Sequence, residues 1–377
     1  MKNTIIASRD YIFSRLYAWV IKPVFFKFDP EYVHDHIVGI GKALGSCRIS
    51  RGITCAVFGY SDPSLEQTIL GMKCKSPVGL AAGFDKNAEL TDILPSIGFG
   101  LIEVGSITGY PCLGNPKPRL WRLPRSRGLL VYYGLKNEGS EIISLRLGKK
   151  QAVKKFGAIL GTSVAMTNCA ENIDVECAVQ DYVKAFKAFV TIGDYFTLNI
   201  SCPNTQGGQP FIKPDALERL LQAIDVIPTQ KPVFIKLSAD MSISEADAIL
   251  DILRKHRVDG IICANLTKKR DNPKIIDANI SAKGGVSGKP VQEFSDNLLA
   301  HIYKREGKRF VLIGVGGIFT AEDAYKKIRL GASLVQMVTG MIFEGPQVVS
   351  EINRGLVRLC KKDGFKHISE AIGADTR

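Results

Sequence analysis

From Pro77 onward, short apolar runs alternate with longer amphipathic stretches. The runs are PVGLAA (77–82), LIEVG (101–105), GAILGTSV (157–164), YFTLNIS (195–201), PVFIKL (232–237), GIICAN (260–265), FVLIGV (310–315) and SLVQMV (333–338). Each has the length of a buried strand. Stretches such as DALERLLQAIDVI (215–227) and ISEADAILDILRKH (243–256) carry helical periodicity between them. Eight such strand–helix units within about 300 residues predict an α/β protein of the (β/α)8 TIM-barrel class. A doubly wound open sheet would place a GxGxxG turn after its first strand, and no such turn occurs there.

The first 50 residues follow another pattern. Residues 11–28 read YIFSRLYAWVIKPVFFKF, with Phe13, Leu16, Tyr17 and Val20 at the spacing of one helical stripe and Arg9, Arg15, Lys22 and Lys27 around them. No apolar run reaches the roughly 18–20 residues that cross a bilayer, and Pro23 interrupts a straight helix. A secretory signal is not expected, because no small-residue cleavage site follows an apolar core. A helix lying in a membrane interface is expected instead. Asp29 followed by Pro30 marks an N-cap and first helical position. The next helix is predicted to run to about Leu44, with Tyr32, Val33, Ile37 and Ile40 apolar. The expected division is a helical domain over 1–50 and a barrel over 51–377, with 51–72 a connector.

Composition narrows the chemistry. Fifty Lys and Arg against 37 Asp and Glu give a net charge of +13, which suits an anionic membrane face, an anionic ligand or nucleic acid. Nine cysteines lie at irregular spacings without a C-x-x-C pair. That fits free thiols in a reducing compartment better than disulfides or a zinc site. His34 and His36 are the only close histidine pair among five, so no metal site is expected.

A barrel places its reactive residues after the strands. Gly314, Gly316 and Gly317 follow the seventh run, and Thr339 and Gly340 follow the eighth. Glycine-rich turns there expose N–H groups to a phosphorylated cofactor. Ala81, Ala82 and Gly83 are small enough for a flat ring to lie against them. Lys236 interrupts an apolar strand, which is costly without an anion or ligand, and it would stabilise negative charge on a reduced flavin. Asn199, Ser201, Cys202, Asn204 and Thr205 form the densest polar cluster. Paired asparagines read a planar amide or imide. Cys202 suits a base if cations such as Lys86 lower its thiol pKa.

GLAAGFDKNAEL, GFGLIEVGSITGYPCLGNPKPRLWRLP, NISCPNT, GGVSGKP and GVGGIFTAEDAYKKIRLGASLVQ resemble dihydroorotate dehydrogenases. The N-terminal helices and GNPKPRLWRLP look like the quinone-dependent class. The resemblance implies FMN at the barrel mouth and oxidation of dihydroorotate to orotate in pyrimidine biosynthesis. It implies that Ala82, Gly83 and Ser106 approach the flavin, with Lys236 at its pyrimidine edge. Ser163, Gly288, Gly316, Gly317, Val338 and Thr339 fall at further cofactor positions. In the family reaction a base takes the C5 proton while a hydride leaves C6 for flavin N5. Cys202 stands at the base position, and Lys86, Asn199, Asn204 and Asn265 at substrate positions. Electrons then pass to a membrane quinone, with Arg122 matching an arginine of its tunnel.

Five positions depart from that pattern. Cys202 stands where the quinone class has serine, Val131 where the family has asparagine, and Leu266 where it has threonine. Ser163 replaces an asparagine, and Val338 a tyrosine. Val131 and Leu266 remove two hydrogen bonds of about 1.5–3 kcal/mol each, which leaves open a different cyclic or less polar substrate. Flavin-dependent dihydrouridine synthases also place a cysteine in a barrel mouth, but they carry a helical RNA-binding domain after the barrel. Only a short segment follows the eighth run here, so nucleic acid is not the expected partner. The expected location is peripheral, on the cytoplasmic face of a bacterial inner membrane, with the mitochondrial inner membrane as alternative.

Overall fold

The structure is a computed structural model and describes residues 2–150 and 158–376. Eight parallel strands close into a barrel: β1 Val78–Leu80, β2 Leu101–Ile107, β3 Ile159–Val164, β4 Tyr195–Asn199, β5 Val233–Lys236, β6 Gly260–Cys263, β7 Val311–Val315 and β8 Leu334–Met337. They fall within the eight apolar runs, apart from the two residues by which β2 outlasts its run. Gly157, which opens the third run, lies outside the described residues. Sequence neighbours pair in space, and Val335 beside Val78 brings β8 against β1. Helices Pro214–Asp225 and Ile243–Leu253 occupy the two helix-like stretches. The second begins with a capping box in which Ser242 and Glu245 satisfy each other's backbone N–H.

Leu101, Ile159, Tyr195, Phe234, Ile262 and Ile313 pack inside the barrel. Ile69 and Cys74 join them from an antiparallel hairpin, Gln67–Ile69 with Met72–Cys74, which precedes β1. Packing at that end leaves the C-terminal ends of the strands to form the site. A three-stranded antiparallel sheet, Leu120–Leu123, Gly128–Val131 and Gly285–Val286, stands at that mouth.

The N-terminal segment forms α1 (Lys2–Leu16), a π turn (Tyr17–Ile21) and a short helix (Lys22–Phe25), then α2 (Pro30–Ser46) and α3 (Arg48–Phe58). Pro23 explains the π turn. It offers no N–H, and its ring would strike the carbonyl one α-turn back. The helix widens instead, with the Lys22 N–H bonding Tyr17 O, and then continues. Asp29 caps α2 by accepting from the Tyr32 N–H. Gly45 lets α2 lie close to the barrel, since a Cβ there would sit 3.2 Å from Asp92.

Two expectations change. The supposed connector over 51–72 holds most of α3 and the hairpin. The supposed apolar stripe also divides. Phe13 packs near Phe58 (5.3 Å between ring centres) and Tyr17 donates to Ile342 O (2.7 Å), whereas Leu16 and Val20 are exposed. Buried Asp10 fixes α1, accepting from Arg9 (2.7 Å) and Ser350 (2.9 Å). The outward side therefore presents Ile5, Ile12, Leu16, Trp19 and Val20, joined by Ile49 and Ile53 of α3. Among the described residues no helix is long and apolar enough to cross a membrane.

Candidate active site

A cavity of about 1300 Å³, counted to its open mouth, lies at the C-terminal ends of the strands. Lys86, Asn199, Cys202, Asn204 and Asn265 line it, as do Ala82, Gly83, Ser106, Lys236, Gly288, Gly316, Gly317, Val338 and Thr339. Leu120, Leu129 and Ile342 supply apolar lining, and His34 joins them. Leu120 and Leu129 pack in one cluster with Phe26 from the N-terminal segment.

Hydrogen bonds preset the polar wall. Asn199 Nδ2 donates to Ser106 Oγ (2.8 Å), which lies 2.8 Å from Ser163 Oγ. Asn265 Nδ2 donates to Ser201 O (3.0 Å) and Ser201 Oγ (3.1 Å). Asn204 Nδ2 donates to Val131 O (2.9 Å), while its Oδ1 is buried without a partner among the described residues. A buried amide oxygen without a partner is costly. Ser163 and Arg122 do not line the cavity. Ser163 is wholly buried behind Ser106. Arg122 donates to Phe28 O (2.7 Å) and lies over the Phe26 ring (4.7 Å), tying the mouth sheet to the N-terminal segment.

Burial dominates the electrostatics. The Cys202 thiol is pushed up to about 11, against smaller lowering effects from the Asn204 backbone, Lys268 and Lys236. This corrects the expectation of a thiol activated by Lys86: the resting site holds a protonated thiol. Burial also brings Lys86 down to about 8, and its ammonium sits 4.1 Å from the centre of the Tyr133 ring.

The walls suit a flat anionic cofactor with a phosphate tail. Lys236 is 4 % exposed, and among the described residues its side chain makes no hydrogen bond or ion pair, while its backbone is paired in the barrel. Burial lowers its pKa, with Glu103 opposing. A Cβ on Gly83 would meet nothing within 4 Å, so the space above it is open. At Gly288 a Cβ would lie 2.2 Å from Arg127 O, and at Gly317 2.3 Å from Gln292. Both have positive φ (+82° and +76°), which only glycine adopts cheaply. Among the described residues the N–H groups of Gly288, Gly316, Gly317 and Thr339 donate to nothing. Such a cluster of free N–H groups receives a phosphate.

Comparison with known proteins agrees with this arrangement. The family model for dihydroorotate dehydrogenase matches residues 64–360. The chain belongs to the dihydroorotate dehydrogenase family. It is 36 % identical over 353 residues to a protein of Gloeobacter violaceus named dihydroorotate dehydrogenase (quinone), covering 93 % of this chain and 97 % of that one. A Sulfurovum protein of the same name is 38 % identical over 360 residues, covering 94 % and 97 %. The ligand-free DHODH of Eimeria tenella superposes with a TM-score of 0.83 at 31 % identity, covering 93 % of this chain and all of that one. Its complex with ferulenol gives 0.81 at 29 %, covering 93 % and 96 %.

Within this family frame, the sequence reading missed the contribution of α2. Glu31 is 3 % exposed and accepts twice from Arg119 (3.0 and 2.8 Å) and once from Lys136 (3.1 Å). One turn later His34 reaches the cavity wall. The available signal was a polar pair on the same helical stripe as Ile37 and Gly41.

Proposed function

We propose that this chain oxidises dihydroorotate to orotate with bound FMN and passes the electrons to a membrane quinone. Membership of the flavin-dependent dihydroorotate dehydrogenase family and relatives named for the quinone reaction support this reading. The observation that carries it is one cavity lined both by buried Lys236, whose side chain has no bonding partner among the described residues, and by Gly288, Gly316, Gly317 and Thr339, whose N–H groups are free among those residues. Lys236 would hold the ring's anionic edge, and Gly288, Gly316, Gly317 and Thr339 the phosphate. Bound FMN supplies a two-electron acceptor for hydride.

The chain's own residues would do the rest. Asn199, Asn204 and Asn265, which line the cavity, orient the substrate ring. Lys86 pairs with the carboxylate. Cys202 takes the C5 proton once its thiol is ionised. Ser163 acts through Ser106. Residues before Tyr60 would form the membrane unit, lying against the cytoplasmic face of a bacterial inner membrane through exposed side chains such as Trp19 (74 %) and Ile49 (73 %). Arg122 would help hold that unit over the quinone entrance.

Orotate formation from dihydroorotate with a soluble short-chain quinone as acceptor tests the reading, together with mass identification of the cofactor released on denaturation. Val131 and Leu266 line the cavity and favour a second reading, a less polar cyclic substrate. Reduction of the flavin by such a compound, with none by dihydroorotate, would select it.

A further inference from the structure

A second buried charge lies inside the barrel, beneath the cavity. Glu103 of β2 is wholly buried. Its Oε2 accepts from the Tyr195 hydroxyl (2.9 Å), the Thr197 hydroxyl (3.0 Å) and the Gln336 amide (3.1 Å). Three donors on one oxygen suit an ionised carboxyl, which can only accept. All three donors are neutral, so the carboxylate has no ion-pair partner among the described residues. Its Oε1 and the Gln336 Oε1 are buried there without a hydrogen-bond partner.

Strand register fixes the level of this group. Lys236 of β5 stands beside Asn199 of β4, and Thr197 is the next inward-facing position below Asn199. Thr197 holds Glu103, which places the carboxylate one side-chain layer beneath Lys236 and Asn199, both of which line the cavity. Lys236 is thus a buried cation without an anion in contact, and Glu103 a buried anion without a cation in contact. Opposite charges in such an interior attract across a layer with little screening.

The surrounding groups leave this attraction uncompensated. Two titratable groups act on Lys236: Glu103, which opposes the effect of burial, and Cys202 after β4. Burial holds the Cys202 thiol at about 11, so it is uncharged near neutral pH. Burial and Glu103 together push the Tyr195 hydroxyl up, and it stays a neutral donor. The Cys74 thiol, which faces Tyr195 from the hairpin, is pushed up to about 12 by burial. Lys86 shares the cavity but lies over the Tyr133 ring.

We propose that Glu103 is a positioning residue for the cofactor, the counter-charge that keeps Lys236 an ammonium beneath the flavin, an inference that rests on FMN being the bound group. The consequence is a proton count. Two-electron reduction of a flavin puts one proton on N5, and a fixed cation at the pyrimidine edge lets N1 stay anionic. With Glu103 in place, Lys236 is charged before and after reduction, and one proton enters with two electrons. Without that carboxylate, burial leaves Lys236 neutral under the oxidised flavin. Reduction then draws a second proton from solvent onto the site, so two protons enter with two electrons.

Glu103→Gln tests this, because it keeps the shape and an oxygen for the three donors and brings an amide donor to the layer of the open Gln336 Oε1. The flavin-loaded wild type and variant are titrated anaerobically with dithionite from pH 7 to 9 to obtain the midpoint potential of the flavin. Each proton taken up by a two-electron couple lowers the potential by about 30 mV per pH unit, so the wild type follows about 30 mV and Glu103→Gln about 60 mV. Equal slopes overturn the proposal. A second measurement needs neither flavin nor the variant. In flavin-free protein carrying 13C at lysine Cε, the Lys236 signal is identified by its loss in Lys236→Met. In the wild type it stays at the ammonium position from pH 7 to 9, and in Glu103→Gln it moves to the amine position within that range. An amine signal in the wild type, or an ammonium signal throughout in the variant, overturns the role of Glu103. If the released cofactor proves not to be FMN, the cofactor reading fails by itself, and the lysine titration still decides whether Glu103 holds the charge on Lys236.

Discussion

The Glu31 carboxylate and the Arg119 guanidinium meet in a two-point pair, at 3.0 and 2.8 Å, with both side chains nearly excluded from water. It is the charged joint between α2 and the segment leading into the mouth sheet. Removing one partner strands the other charge, which costs about 3–5 kcal/mol. Glu31→Ala is therefore expected to lower the unfolding midpoint and expose α2 to proteolysis. A midpoint within a degree of wild type would contradict this.

The same pair sets an acid limit. Burial opposes ionisation of Glu31, but the bonds from Arg119 and Lys136 outweigh it and hold the carboxyl at about 2, below its usual 4.5. A depressed folded pKa gives stability that is complete above the unfolded value and lost as pH falls through the folded one. Between pH 4.5 and 2 the wild type is expected to lose about 3 kcal/mol from this group. Glu31→Gln should lack that portion of the acid dependence in denaturation titrations.

Cys202 predicts the pH profile of substrate oxidation. With the thiol at about 11, the ionised fraction grows about tenfold per pH unit through the neutral and mildly alkaline range. Rapid-mixing bleaching rates should rise accordingly from pH 7 to 9. Cys202→Ala should keep its flavin and lose the bleaching. A flat profile would remove the thiol from the role of base.

Lys236 separates the two states of the protein. Unpaired and buried, its charge burdens the cofactor-free fold. Lys236→Met should raise the unfolding midpoint of flavin-free protein and lower the midpoint gained on adding FMN. Equal shifts in both forms would show that Lys236 does not face the cofactor.

The barrel was legible because each strand is buried on both faces and so forms a nearly unbroken apolar run, as in β5 from Val233 to Lys236. The glycine-rich turn after β7 was legible because Gly317 holds a positive φ that glycine adopts cheaply, whereas Gly288 entered only through the family resemblance. The mouth sheet was not. Its strands are two to four residues long, too short to show a period. The helix Arg48–Phe58 was hidden by Ser50, Gly52 and Thr54, which read as loop. The Cys202 thiol was misjudged because burial, a property of the folded chain, outweighs the basic residues around it.

Val131 offers a gain-of-function check. Val131 lines the cavity and stands where the family resemblance has an asparagine. Val131→Asn should tighten orotate binding by roughly 10- to 100-fold, the equivalent of one bond of about 1.5–3 kcal/mol. Orotate titration followed by the flavin spectrum measures it, and weaker binding would favour the less polar substrate.

The most direct measurement is a single anaerobic turnover. Purified yellow protein is mixed with excess dihydroorotate, and flavin absorbance is followed as orotate appears. The flavin should bleach fully, with one orotate formed per flavin. A flavin that stays oxidised with dihydroorotate yet bleaches with dithionite would contradict the assignment.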